Sequence, residues 1–472
     1  MNKDRKKGLK GRIRFDGGKR LPVTSWFPKV FHEIFFMERE ARVILCVVLF
    51  FLSLFILTLG EGSFRRTRNN LTVGVFSGSY WDVQNGNTYK IVDDAIEAYE
   101  KKYPNIKVTY ESGVIKSDYT EWLSERIMSG SMPDVVFILG QDFSSLAEMG
   151  ALKNLNSLVK KDRSFRKEAY FRTAWKAGEY EGKQYALPYE CAPQLMFVNK
   201  TILDKEGISM PESGWKWSDF YRICRNVTTT GESADEKQYG VTGYDWNCAF
   251  NANGVDFFEH GNEYVDFTVP GVTESLELIE KLNELNHGYK VSEADFSEGN
   301  VVFQPMPFSQ YRAYKSQELH IKKYSGFEWD CLTMPAGPNG DNVSELDTLC
   351  IGMSAGTNME AEAWNFMKLI SSDPDVQKEI LEYSDGLSVV RDVTLSDEAS
   401  HIIVGSSKGT FNMKMLEKAT DNSVVVPRFR GCSEVKEQVD LAVRSILDGE
   451  ANIETEQIIW NREINNYLQT LN

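Results

Sequence analysis

Histidine is scarce, with five residues scattered through 472, and no Cys-x-x-Cys pair occurs among the seven cysteines. Neighbouring residues therefore supply no zinc-type ligand cluster, and no metal or other cofactor is expected. Net positive charge is missing too: the formal charge is −15, which argues against nucleic acid as a partner and against anionic ligands held by a broad field. Internal repeats and low-complexity stretches are absent, which excludes solenoids and long solvated tails. A long apolar run occurs once, at Val43–Leu59. What remains is the composition of a globular protein, 42% hydrophobic and 26% charged, long enough for two domains that each bury a core.

The apolar run separates two charge regimes. Residues 1–42 carry twelve Lys and Arg against five Asp and Glu, a surplus of +7, which leaves −22 for the rest. "VILCVVLFFLSLFILTL" is interrupted only by Ser53 and Thr58, and its length falls in the spanning range of about 17–25 residues. The positive-inside rule then predicts a basic cytoplasmic leader over 1–42, a transmembrane signal anchor over 43–60, a linker over 61–70 and an extracytoplasmic remainder. Cleavage as a signal peptide is the alternative, since small residues stand near Thr58 and Gly60. Six cysteines (191, 224, 248, 331, 350 and 432) fall outside the span. Their even number permits disulfides, their spacing dictates none, and buried free thiols are the plainer reading.

Beyond the linker, strand and helix patterns alternate, as in an α/β domain with a largely parallel sheet. Val92, Ala95, Ile96, Tyr99 and Tyr103 recur at helical spacing over 88–103, and Pro104 ends that helix. Val135-Val-Phe-Ile-Leu139 is continuously apolar, as a strand covered on both faces requires. Helices are also expected from Trp217, with Ser218 as N-cap, over 273–285 and 360–370, from Pro374 with Asp373 as N-cap, and over 434–447 and 455–471. Strands are expected at 239–244, 301–303 and 327–335.

Several short motifs occur in one order: Leu71-Thr-Val-Gly-Val-Phe76, Ala98-Tyr-Glu-Lys-Lys-Tyr-Pro-Asn-Ile-Lys-Val108, Ser129-Gly-Ser-Met-Pro-Asp-Val-Val136, Leu187-Pro-Tyr189 and Phe197-Val-Asn-Lys200. Phe296-Ser-Glu-Gly299, Met334-Pro-Ala-Gly-Pro338 and Ala361-Glu-Ala-Trp-Asn-Phe366 follow. The series resembles the bacterial extracellular solute-binding proteins, specifically the maltose and oligosaccharide-type binding subunits of ABC importers. That resemblance implies a two-lobed, type II periplasmic-binding-protein-like fold with a hinge. Lobe 1 would comprise 71–188 plus 348–392 and lobe 2 189–347 plus 393–472, with crossings near Tyr189, Asp347 and Arg391. It also implies a carbohydrate ligand, ABC permease subunits as partners, a monomer, and no enzymatic activity. The family's small-residue lipobox is missing around Cys46, so anchoring would be by peptide.

In open α/β sheets, ligands bind outside the carboxyl ends of strands. The loops there combine aromatic plates with hydrogen-bonding side chains, which suits sugar rings: Ser79, Tyr80 and Trp81 after the first strand, Gln141 and Asp142 after Pro-Asp-Val-Val, Tyr244, Asp245 and Trp246 farther on, then Phe308, Ser309 and Gln310. By resemblance, Glu190, next to Tyr189, is the hinge glutamate that contacts sugar, and the segments Glu345–Asp347 and Arg428–Arg430 approach the cleft. Each has a plainer reading: Tyr244 as a packer, Asp142 as a helix cap, Glu190 as a solvated hinge charge. Trp215 and Trp217 are expected to pack within a lobe. Gly352-Met-Ser-Ala-Gly356 fits G-x-S-x-G, but His401 is the only histidine downstream and no His-Gly-Gly loop accompanies it. A sensor presenting ligand to a histidine kinase or chemoreceptor, and a secreted serine hydrolase, are the alternatives to an import receptor.

Overall fold

The computed structural model describes residues 69–471, apart from 84–85, 88, 231–236, 259–263, 318–325, 405–410 and 450–451. The leader, the anchor expected at 43–60, Cys46 and most of the linker lie outside the described residues, and no described helix is long and apolar enough to cross a membrane.

Thirteen strands occur among the described residues: β1 (Asn70–Gly74), β2 (Lys107–Tyr110), β3 (Val135–Ile138), β4 (Glu179–Tyr180), β5 (Lys183–Gln184), β6 (Ala186–Asn199), β7 (Thr229–Thr230), β8 (Lys237–Val241), β9 (Val301–Pro307), β10 (Trp329–Leu332), β11 (Ser344–Met353), β12 (Leu387–Ser388) and β13 (Ser423–Val425). Apart from the β4–β5 hairpin they form one sheet, ordered β2-β1-β3-β11-β6-β9-β8-β7, with β10 and β12 also on β6 and β13 on β11. β1 runs parallel to β2 and β3, and β8 runs parallel to β9.

β6 changes partners along its length. Ala186–Pro193 pairs antiparallel with β11, and Gln194–Val198 pairs antiparallel with β9. Its two early prolines mark the irregular places. Pro188 sits where the β11 register shifts between Leu349 and Cys350, and Pro193 is the last residue paired with β11. Lacking an N–H, proline is tolerated inside a sheet only where the ladder breaks or bulges.

Two hydrophobic cores flank this exchange. Leu71, Val73, Tyr99, the β3 strand, Leu187, Phe366 and Ile380 belong to the first. Val198, Trp215, Trp217, Phe220, Phe250, Phe303, Val439 and Ile464 belong to the second. Both expected packing tryptophans are thus in the second core, and Trp215 donates its indole N–H to Thr333 O at 2.9 Å. The helices match the sequence pattern closely: Lys90–Lys102, Pro270–Glu284, Glu360–Ser372, Pro374–Tyr383, Cys432–Leu447 and Ile453–Leu471. Asp373 caps as expected, accepting from Asp375 N. Ser218 does not: the helix starts at Trp217 after Lys216, because Asp219 reaches back to the Lys216 N–H. Ala399, Ile403, Leu416 and Ala419 pack with the first core, although 393 onward is expected in lobe 2 by sequence. Their helices, Asp397–Val404 and Met413–Asp421, touch Pro374–Tyr383 and Arg172–Lys176 respectively.

All six described cysteines are buried free thiols, so stability rests on packing. A tight point is Gly240 of β8, where a Cβ would come within 2.4 Å of Cys224 Cβ and 2.6 Å of its Cα. Gly240→Ala is expected to lower unfolding free energy by about 2–3 kcal/mol. An unchanged urea midpoint would show that the helix carrying Cys224 yields freely.

Candidate functional site

Strand direction decides where the chemistry collects. β1 and β3 end at Gly74 and Ile138, and antiparallel β11 brings Asp347 and Thr348 to that same edge, since Cys350 pairs with Ile138. β6 passes there with Glu190 opposite Leu349. From the other side, β8 and β9 end at Val241 and Pro307, and Pro307 pairs with Gln194. The carboxyl ends of both sets of strands thus converge on the middle of β6.

Glu190 stands at that point and is 4% exposed. Ser384 Oγ donates to its Oε2. The Trp81 indole nitrogen, buried and without a hydrogen-bond partner of normal geometry, faces the same carboxylate. Gly386 is required beside them, because a Cβ there would lie 2.8 Å from both Glu190 Oε2 and Trp81 Nε1. Burial pushes the Glu190 carboxyl up to about 7, and the charges of Asp385 and Asp347 push the same way, against the hydrogen bonds that pull it down.

Asp347 is held in an ion-paired network. Tyr80 OH donates to its Oδ1 at 3.1 Å, and Arg428 Nη2 lies 3.2 Å from the same oxygen. The Arg428 side chain is only 5% exposed and also donates to the carbonyls of Thr348 and Ala177. Ser144 Oγ donates in turn to Arg428 O. Charge-assisted bonds of this kind fix geometry as well as neutralise charge.

Ser79 Oγ accepts from the Trp81 backbone N–H at 3.2 Å, and Lys116 Nζ clasps the loop by donating to Tyr80 O and Asp82. Tyr80 and Trp81 are themselves buried, packed edge to face at 4.8 Å. Gln141 is exposed and donates to Thr120 Oγ1, which donates to Asp142 Oδ2 at 2.7 Å. Asp142 occupies an N-cap position without making the side-chain cap bond, and burial raises its pKa. Tyr189 is buried on β6 against Phe137.

On the second side, Asp245 is exposed and caps Trp246–Ala252 by accepting from Cys248 N at 2.8 Å. Its two aromatic neighbours face inward. Tyr244 accepts from Trp217 Nε1 at 2.9 Å, and Trp246, 3% exposed, donates to Asp440 at 2.6 Å while packing on Phe250 and Phe257. An Asp flanked by aromatics reads from sequence as a ligand plate, but the short helix turns both rings into the second core. Phe308 and Ser309 are also fully buried, with Phe308 stacked on Tyr311, and Gln310 is half-buried. Arg430 is exposed and donates to Leu471 O on the C-terminal helix. Glu345, beside Asp347 in β11, is raised by burial and lies near Asp245, Asn247 and Lys436.

Ser384, Asp385, Gly386, Thr120 and Lys116 are the site groups that carry no motif of their own, while Arg428 falls in a segment that the resemblance brings to the cleft. Ser354 of the G-x-S-x-G segment is at the opposite edge. Its N–H donates to Asp134 O at the start of β3, and its Oγ accepts from Gly356 N. Among the described residues no three His, Cys, Asp or Glu side chains are grouped to hold a metal ion.

A two-lobed α/β binding-protein fold, with carboxylates and buried aromatics around a central crossing strand, is what these elements define. The family model of bacterial extracellular solute-binding proteins matches residues 84–377, and the chain belongs to that family. It is 22% identical over 311 residues to the maltotriose-binding protein of Pyrococcus abyssi, 64% of this chain and 63% of that protein, thus less than two thirds of its length. It is 25% identical over 350 residues to the diacetylchitobiose binding protein DasA of Streptomyces coelicolor, 70% of this chain and 73% of that one. Its fold matches the sugar-binding protein MalE of Xanthomonas citri with a TM-score of 0.69 at 15% identity, over 85% of this chain and 98% of the other.

The Glu190 carboxyl gives a signed prediction. Its folded pKa, about 7, lies above the value of an exposed glutamate, so the folded state binds this proton more tightly than the unfolded chain. The stability it contributes is complete below about pH 4.3 and is lost as pH rises through 7. Glu190→Gln is expected to gain on the wild type by about 1–3 kcal/mol between pH 5 and 8, followed by urea denaturation of the ligand-free protein. Parallel profiles for the two proteins would mean that Glu190 is ionised and hydrated when folded.

Proposed function

We propose that this protein is the receptor of an ABC importer and takes a carbohydrate, an oligosaccharide, into the cleft between its lobes. The observation that carries the reading is the convergence on Glu190 of the carboxyl ends of both strand sets. Asp347, Asp142, Gln141 and Asp245 supply hydrogen-bonding groups around it, and Ser79 and Tyr80 shape one wall. The relatives' ligands, maltotriose and diacetylchitobiose by name, agree with a polyhydroxylated solute. No covalent step is involved: stacking and hydrogen bonds in a cleft dried by closure provide affinity, and contact with the permease favours the open form.

Closure would bend the chain where it passes between cores, in β6, in β11 and in the stretch from β13 to Cys432. In this reading 393–425, whose Ala399, Ile403, Leu416 and Ala419 pack on the first core, goes with the first lobe. Tethering rests on the sequence alone. The apolar run 43–60 would anchor the protein as a single-pass peptide, with the basic leader inside and the binding domain outside, as a monomer.

Thermal denaturation against mono- and oligosaccharides and non-sugar solutes tests the reading. Saturation at 100-fold above Kd is expected to add about 2.7 kcal/mol, raising Tm by several degrees for one class of sugar, and Glu190→Ala or Asp347→Ala is expected to abolish the rise. A shift with a non-sugar solute and none with any sugar would overturn the carbohydrate assignment. Scattering profiles that superimpose with and without a bound ligand would overturn closure.

A further inference from the structure

Helix Lys116–Met128 is planted where the strands of the first lobe end. Tyr119, fully buried on its first turn, places its hydroxyl 2.9 Å from the carbonyls of both Gly74 and Phe137, at the carboxyl ends of β1 and β3. Lys116 and Thr120 lie one turn apart on the same helix and so share a face. Lys116 Nζ lies 2.5 Å from Tyr80 O, 2.7 Å from Asp82 Oδ1 and 5.1 Å from the centre of the Tyr80 ring. Thr120 Oγ1 donates to Asp142 Oδ2 at 2.7 Å and accepts from Gln141 Nε2 at 3.3 Å. One helix face thus holds the loop after β1 and the loop after β3 together.

The contacts differ in strength. The Asp82 side chain is 82% exposed, so its ion pair with Lys116 contributes little. The bond to the Tyr80 carbonyl is charge-assisted and partly buried, and it fixes the backbone just before Asp82 turns to a left-handed φ of 55°. Asp142 makes no cap bond to the helix it precedes, and its carboxylate is turned to Thr120 instead. Lys116 and Thr120 are themselves only half-buried, and their hydrogen bonds go to these two loops. We propose that Lys116 and Thr120 are positioning residues that hold loops 79–82 and 141–142 in place before a ligand arrives, a step that rests on the reading of these loops as ligand-facing. Binding then carries less of the cost of ordering them.

Hydrogen exchange of the ligand-free, full-length chain reads the two loops separately. Lys116→Met is expected to speed exchange at the Ser77 and Trp81 amides about tenfold and to leave the Asp142 amide unchanged, and Thr120→Val to do the reverse. Lys116→Arg and Thr120→Ser keep a donor at each position and are expected to restore protection, with the urea midpoint unchanged throughout. Exchange untouched in both loops, or raised across the whole first lobe with a fall in the urea midpoint, would overturn the clamp. Calorimetric titration with maltotriose reads the consequence: Lys116→Met and Thr120→Val are each expected to weaken binding about three- to tenfold. Loosened loops with unaltered maltotriose affinity would show that they do not position a ligand. Loosened loops in a chain whose wild type binds no maltotriose would leave the clamp standing and count against the oligosaccharide reading alone.

Discussion

One strand, β6, serves both halves of the sheet, and the placement of everything else follows from it. Its first half needs antiparallel β11 and its second half antiparallel β9. In the second half of its fourteen residues the side chains alternate between the two cores, Leu195 and Phe197 facing the first and Met196 and Val198 the second. Proline at 188 and 193 removes two backbone donors near the exchange, so the ladder is weakest between the cores and regular within each. Strand polarity does the rest, because β11 and β9 each run against β6 and bring the carboxyl ends of their parallel neighbours to its middle.

Concentrating acids at such a point is electrostatically unfavourable, and the molecule offsets it unevenly. Asp347 has a buried guanidinium beside it, and the same Arg428 binds two backbone carbonyls. Removing that side chain would leave a partly exposed carboxylate without its cation and take one donor from each of two backbone carbonyls, a loss that water at Asp347 only partly replaces. Because Arg428 lies between β13 and helix Cys432–Leu447, its bonds also pin the last passage between cores to the first core. Glu190 has no such cation. A hydroxyl donates to it, and it is otherwise buried against an indole and a glycine backbone.

Much of the architecture was legible in the sequence because local patterns carry it. The apolar run at 135–139, the helical spacing from 92 to 103 and the Asp373-Pro374 start are each set by residues within one turn or strand. The loops at 79–81 and 141–142 follow strand ends, which is why sequence reading searched there for ligand groups, whereas Glu190, inside β6, was reached only through the resemblance. Contacts across the chain were not legible. Arg428 reaches Asp347 over 81 positions and Ser384 reaches Glu190 over 194. Burial of Trp246 depends on Asp440, Phe257 and Phe258 settling around it, so a ring beside an acid looked available when it is core. Segment 397–421 carries an amphipathic signal that would suit either core, so its assignment to lobe 2 came from the resemblance and not from its own residues.

Glu190 remains the residue least explained by stability. A glutamine would keep the Ser384 contact without titrating, and an apolar residue would spare the desolvation of a carboxyl among like charges. Elsewhere the sequence is locally consistent: the crossing prolines sit at irregularities, Trp215 and Trp217 have partners for their N–H groups, and six thiols are packed as small hydrophobes. Glu345 and Asp142 are also raised by burial, but of the three only Glu190 stands on the strand that both halves of the sheet share. Such violations cluster where a protein meets its ligand. The geometry of β6 puts this one where the two halves face each other.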